Sequence, residues 1–197
     1  AGPTEGITAG PTEGITVGPT ATPTPEPNAD ADAELSNPEF EKMLREQLGF
    51  TGEILNRDLW QTAHLVLART NEWKNHDLSD LKKFRNLEAL EIYDAEEFDP
   101  SWIEGLANIS YLEISSSGLS SIAAMPELPR LQTLYLRDDP ITELSGIERY
   151  GELTFLDITR DPIGDITPVA SLKKLRTLAL TGCGVSDFSA LCELPAL

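Results

Sequence analysis

The chain has 197 residues, 40% of them apolar and only 7% aromatic, with a formal charge of −18 at pH 7. That length allows one well-buried core or one elongated array, and that charge argues against nucleic acid and anionic membrane surfaces as partners while leaving basic or neutral ones open. No apolar run approaches the roughly 18 residues of a membrane span, so no direct membrane insertion is expected, and two cysteines, Cys183 and Cys192, are too few for a disulfide scaffold.

Residues 1–35 open with "AGPTEGIT" written twice and continue through "ATPTPEPNADADAE". Pro, Thr, Gly and acids with almost no large apolar residues cannot bury enough surface to offset ordering entropy. This segment is expected to be a disordered stalk or linker, and its first residue already lying in low-complexity sequence suggests a mature or trimmed product. Six acids and no Lys or Arg fall in residues 1–37, so the remaining 27 acids face all 15 bases and leave −12 on the rest.

Structure is expected to begin at "SNPEFEKMLREQLGF". Ser36 with Glu39 three residues later fits a capping box, and Pro38 suits a first helical turn. Phe40, Met43, Leu44 and Leu48 then share one helix face, with Gly49 as the stop. Ile54, Leu59 and Trp60 follow, then a strand with Leu65 and Leu67 inward. Residues 36–60 therefore read as a helical N-terminal cap, and residues 61–197 as an array of about five to six units.

From Leu87 an apolar beat recurs every 22 residues. Position 1 is Leu87, Ile109, Leu131, Leu153, Leu175 and Leu197. Position 4 is leucine throughout, from Leu90 to Leu178; position 6 runs from Ile92 to Leu180. Later marks at positions 11 and 14 are Leu119/Ile122, Ile141/Leu144, Ile163/Ile166 and Val185/Phe188. Positions 4 and 6 have the period of a strand, and the wider spacing afterwards suits a turn and a short helical return. No unit can bury its apolar side alone, so neighbours stack and the core runs lengthwise. Two irregularities stand out: Glu97 occupies an apolar position with Phe98 one place late, and the first unit is about three residues long around "TNEWKNHD". The abrupt ending at "CELPAL" predicts that the natural chain continues.

This pattern resembles the leucine-rich repeat, L-x-x-L-x-L-x-x-N/C-x-L, and within it the 22-residue class of internalin-like bacterial surface proteins; Leu175, Leu178, Leu180, Cys183 and Val185 match every marked position. The resemblance covers about residues 38–197. It implies an α/β solenoid: a right-handed coil with a parallel β-ladder on the concave face, preceded by a helical cap. It also implies a secreted or cell-surface location, and adhesion to a protein or glycan ligand on a host or neighbouring cell.

In such a strand the residues between the inward ones face solvent on the concave side, at positions 2, 3, 5, 7 and 8. Adjacent strands lie about 4.8 Å apart, so these residues form one patch. Three of the four tyrosines fall in it. The candidate binding residues are Glu91, Tyr93, Tyr111, Glu113, Tyr135, Arg137, Phe155, Asp157 and Arg160, with the contact centred on Tyr111, Tyr135 and Phe155. Exposed rigid aromatics flanked by arginines and acids have the composition of a protein-binding surface; the competing account is that aromatics suit strands and stack across them.

Position 9, where the family usually has Asn, reads Ala95, Ser117, Asp139, Asp161, Cys183. A carboxylate accepts but cannot donate, and two on consecutive coils raise each other's pKa. Either each Asp accepts backbone N–H groups in the turn that Pro140 or Pro162 completes, or the two share a proton or a bound cation.

Catalysis finds little support. His64 and His76 lack a Cys or acid cluster at zinc spacing and read as surface or loop residues; no G-x-S-x-G, H-E-x-x-H or phosphate loop occurs. Register turns Cys183 inward and puts Cys192 on the convex return, both expected reduced and mostly buried. The sequence thus predicts a monomeric, non-catalytic binding module without cofactors, with a structural spacer or a targeting module for another domain as the alternative.

Overall fold

Each unit supplies one short strand because positions 4 and 6 fall on the same side of an extended chain. The computed structural model describes residues 28–68, 77–95 and 97–197. It contains β1 (His64–Ala68), β2 (Ala89–Tyr93), β3 (Tyr111–Ser115), β4 (Thr133–Arg137), β5 (Phe155–Thr159) and β6 (Thr177–Ala179). They form one six-stranded parallel sheet in chain order. The register aligns like positions: Leu90 pairs Leu112, which pairs Leu134, then Leu156, then Leu178. Ala89 pairs Tyr111, an offset of 22, whereas His64 pairs Ala89, an offset of 25. The first unit is therefore three residues longer, as expected, although the stretch holding the excess, His76 included, lies mostly outside the described residues.

Position 8 is where the chain leaves the sheet. Asp94, Ser116, Asp138, Arg160 and Gly182 all have left-handed backbone, with φ between 52° and 77°. Asp and Ser tolerate this region better than branched residues do, and Gly182 adopts it without strain. A short 3₁₀ return follows in each unit, as at Pro100–Ile103, Ile122–Ala124, Ile147–Arg149 and Thr167–Ser171. Several returns are opened by an Asp-x-Ser/Thr turn: Asp99, Asp165 and Asp187 each accept the backbone N–H two residues on, at 2.8 Å.

The inward columns and the cap pack into one lengthwise core from Ala33 to Leu194. The end of the segment expected as a 1–35 stalk is therefore ordered instead: Ala33 is buried, Asp32 bridges Leu55, and the Ala33 N–H donates to the Ile54 carbonyl at 2.8 Å. Phe98 takes the place that Glu97 vacates, buried while Glu97 is exposed. The last unit departs from the expected inward pattern. Leu178, Leu180 and Val185 are only half-buried, and Phe188 and Leu197 are exposed, because β6 is the edge strand of the ladder among the described residues. Cys183 is buried and its thiol donates to the Ile158 carbonyl. Both cysteines are free, but Cys192 is exposed rather than buried, for the same reason.

Two helices precede β1: α1 (Pro38–Leu48) and α2 (Asn56–Gln61). Phe40, Met43, Leu44, Leu59 and Trp60 join the common core, Leu48 packs partly against it, and Gly49 ends α1 at φ 74°. The N-cap is Asn37, not Ser36. Asn37 Oδ1 accepts from the N–H groups of Glu39 and Phe40 at 3.0 and 3.3 Å. Ser36 is committed elsewhere: its N–H and hydroxyl both donate to Asp80 Oδ2, at 2.7 and 3.0 Å. Lys83 ties the same segment down, donating to the carbonyls of Ala33 and Glu34 and pairing with Asp80. Burial alone would raise the pKa of Asp80, but the bonds from Lys83 and Ser36 outweigh it and hold the carboxyl below its usual range.

Candidate functional site

Alternation places positions 3, 5 and 7 on the outward face of the ladder. Two columns there carry the rings. Tyr111 on β3 and Phe155 on β5 flank Tyr135 on β4, with centroids 5.5 and 4.7 Å from it and planes tilted by 45° and 40°. The Arg137 guanidinium lies over the Tyr135 ring at 4.3 Å. It also reaches both neighbouring strands, donating to Glu113 Oε1 at 3.1 Å and to Asp157 Oδ2 at 2.7 and 3.0 Å. Tyr111 donates to the other Glu113 oxygen at 2.8 Å, and the Thr159 hydroxyl to Asp157 Oδ1.

Six of the nine sequence-predicted residues thus form one bonded cluster: Tyr111, Glu113, Tyr135, Arg137, Phe155 and Asp157. Glu91 and Tyr93 make an adjoining group, where Tyr93 donates to Glu91 Oε2 at 2.7 Å and His64 Nε2 stands 2.9 Å from Oε1. Arg160 sits apart, exposed at the left-handed turn, with both Asp138 oxygens as acceptors.

Outward does not mean solvated. Glu113, Asp157 and Ser115 were expected to face solvent, yet they are only 6%, 7% and 8% exposed. A strand position fixes the side on which a side chain emerges, not its depth. Here the longer Tyr and Arg side chains lie across the shorter carboxylates and hydroxyls. The rings themselves are half-buried rather than free-standing, so both sequence accounts hold in part: the aromatics stack across strands, and they also form the outer layer.

The electrostatics keep this cluster in one state. Burial works against the Arg137 charge, but the bond to Asp157 and the charges of Asp157 and Glu113 outweigh it and raise its pKa. Burial, then the bonds to Glu91 and Glu113, push the Tyr93 and Tyr111 phenols above their usual pKa, since ionising either would set an anion beside a carboxylate. Both remain donors at any physiological pH.

Asp138 and Thr159 were expected on the outward face but not among the candidate binding residues, and His64 was read as a surface or loop residue. The signal was present: residues 22 apart are cross-strand neighbours, so Asp138 and Arg160, like Glu152 and Lys174, are opposite charges in adjacent coils.

The position-9 row lies just behind this face. Asp139 Oδ1 accepts the N–H groups of Ser117 and Leu119 at 2.8 and 3.2 Å, and Asp161 Oδ1 accepts the N–H of Asp139 at 2.7 Å. Backbone acceptance is therefore real, but it uses one oxygen of each carboxyl. Oδ2 of both is buried without a hydrogen-bond partner. Burial raises both pKa values, more than the backbone bonds lower them, and takes Asp161 to about 7. Among the described residues, no group of three or more His, Cys, Asp or Glu could hold a metal ion.

A shallow polar cavity of 440 Å³ opens at the strand entries, lined by Glu88, Asn108, Ser110, Arg130, Gln132 and Glu152 among others. No chemistry converges on it.

No family model matches the chain, and no curated protein matches it in sequence. Among solved structures it is similar to an internalin (inlF) of Listeria monocytogenes, at 20% identity and a TM-score of 0.58, covering 82% of this chain and 54% of that one. It is also similar to an internalin C2 (inlC2) of the same organism, at 23% identity and a TM-score of 0.60, covering 82% and 81%. The chain thus spans about half the length of the first. At these identities the likeness is one of fold: the chain is a leucine-rich repeat solenoid, the fold it shares with these two internalins.

Proposed function

We propose that this chain is a monomeric, non-catalytic module of a secreted or cell-surface bacterial protein, holding a protein partner on the outward, concave side of its ladder. The contact is centred on Tyr111, Tyr135 and Phe155, with Arg137 among them. The part of residues 1–35 that precedes the packed segment 28–35, read from composition, acts as the spacer that presents it, and α1 and α2 close the first coil. The similarity in fold to internalins supports a protein-binding role. Among the described residues, no helix is long and apolar enough to cross a membrane.

One observation carries the reading. The aromatic row is already locked by Arg137 between two acids, so a partner meets rings whose rotamers are set and loses little entropy in ordering them. A surface with no binding duty gains little from three half-exposed rings held in this way.

The test uses the full chain as bait against bacterial and animal-cell surface extracts, beside two variants with native circular dichroism. One is Tyr111→Ala/Tyr135→Ala/Phe155→Ala; the other, on the return side, is Lys173→Ala. A protein captured by the parent and by Lys173→Ala, and lost by the triple variant, supports the proposal. Capture of the same set by all three baits overturns it in favour of a spacer.

A further inference from the structure

We propose that Asp139 and Asp161 form a proton-linked pin between consecutive coils, tight while at least one of the two carboxyls is protonated and loosened when both are charged. The geometry is specific to these two coils. Each carboxyl bridges one coil to the one before it through Oδ1: Asp161 to the backbone of Asp139, and Asp139 to the backbone of Ser117 and Leu119. Each leaves Oδ2 enclosed and unbonded. An enclosed carboxylate oxygen that no protein donor reaches is costly, whereas a carboxylic acid needs no counter-charge there. In the same row, one coil to either side, Ser117 and Cys183 bond back to the preceding coil without a charge.

The surrounding charges favour holding the proton. Asp138, beside Asp139, and Asp157 on β5 both act on Asp161 in the sense that resists ionisation, as does Asp139 itself. Their cations are already engaged: Arg160 with Asp138, and Arg137 with Asp157 and Glu113. From the next coil the Cys183 thiol faces Asp161, its own pKa pushed up by burial first and also by the Asp161 and Asp157 charges. The apolar return beneath contributes Ile141 and Ile163.

The linkage has a definite sign. A carboxyl whose folded pKa lies above its unfolded value binds more protons folded, so its stabilisation is complete below about pH 4 and gone above about pH 7. Asp80 and Asp138, whose pKa values are lowered, work the other way and are lost only as pH falls below about 4. Between these limits the solenoid tightens with acid. The pinned turns carry Asp138 and Arg160 on the rim of the ladder face, so the same proton steadies that rim.

Two measurements on the full chain test this. Carboxyl carbon NMR should find Asp161 titrating near 7, with its midpoint moved down in Asp139→Asn. In urea, the unfolding equilibrium constant should rise roughly 50- to 100-fold from pH 5 to pH 8, and Asp161→Asn should remove most of that rise. An Asp161 that titrates near 4 overturns the pin, as does an undiminished pH slope in Asp161→Asn. A flat pH response joined to stabilisation by calcium overturns it too, in favour of a bound cation. The NMR titration needs only the unsubstituted chain, so it decides even if a variant fails to fold.

Discussion

Two pairs of buried acids lie in the adjoining coils of β3 to β5, and they are treated oppositely. On the ladder face Glu113 and Asp157 are covered, but Arg137 stands between them and hydroxyl donors take other oxygens. In the turn row Asp139 and Asp161 are equally buried, with backbone N–H groups on one oxygen and nothing on the other. The first pair is bridged by a cation and holds a surface still. The second is built to be neutral, and its cohesion follows the proton. Burial alone does not decide whether an acid is ionised; the presence of a guanidinium within reach does.

The most disruptive way to break this contrast is Arg137→Met. It strips the cation from both ladder acids and should lower stability by about 2–3 kcal/mol, less than a fully enclosed pair because the guanidinium is 32% exposed. Thermal unfolding should report a Tm lower by roughly 5–10 °C, and adding Glu113→Gln and Asp157→Asn should recover part of it. Asp161→Asn sharpens the contrast with the opposite sign: at pH 8 it removes a buried charge and should raise stability by about 1 kcal/mol, with a smaller gain at pH 5 in urea titrations. Tyr135→Leu keeps apolar bulk but loses two ring contacts and the guanidinium stack, for about 1 kcal/mol; partner capture should suffer more than Tm does. Least disruptive of all is thiol labelling in native buffer, where mass spectrometry should find Cys192 modified and Cys183 untouched until urea is added.

The periodic part of this molecule was legible because a 22-residue beat states which residues share a column. Leu134 and Leu136 could be placed inward, and Tyr135 outward, without any coordinates. The longer first unit could also be read, from the interval between Leu65 and Leu90. Depth on the outward face could not. Alternation treats Glu113 and Tyr111 alike, and only the longer reach of the tyrosine puts one over the other. The helix start failed for a different reason. Ser36 has the right residue type for a cap, but a carboxyl 44 residues away, Asp80, competes for it, and no local pattern reports that contact. The row of left-handed residues was half visible: Asp94, Ser116, Asp138 and Gly182 suit the turn, and Arg160 does not.

The bonds that join one coil to the next, from the strand ladder to the Asp pins, span 20 to 25 residues. Mechanical load is therefore carried in series, from each coil to its neighbour. Pulled apart, such a molecule should peel coil by coil, each release of 22 residues adding about 75 Å of slack. A tether that yields in small steps would keep its remaining coils, and the ring cluster on β3 to β5, intact after the first ones let go.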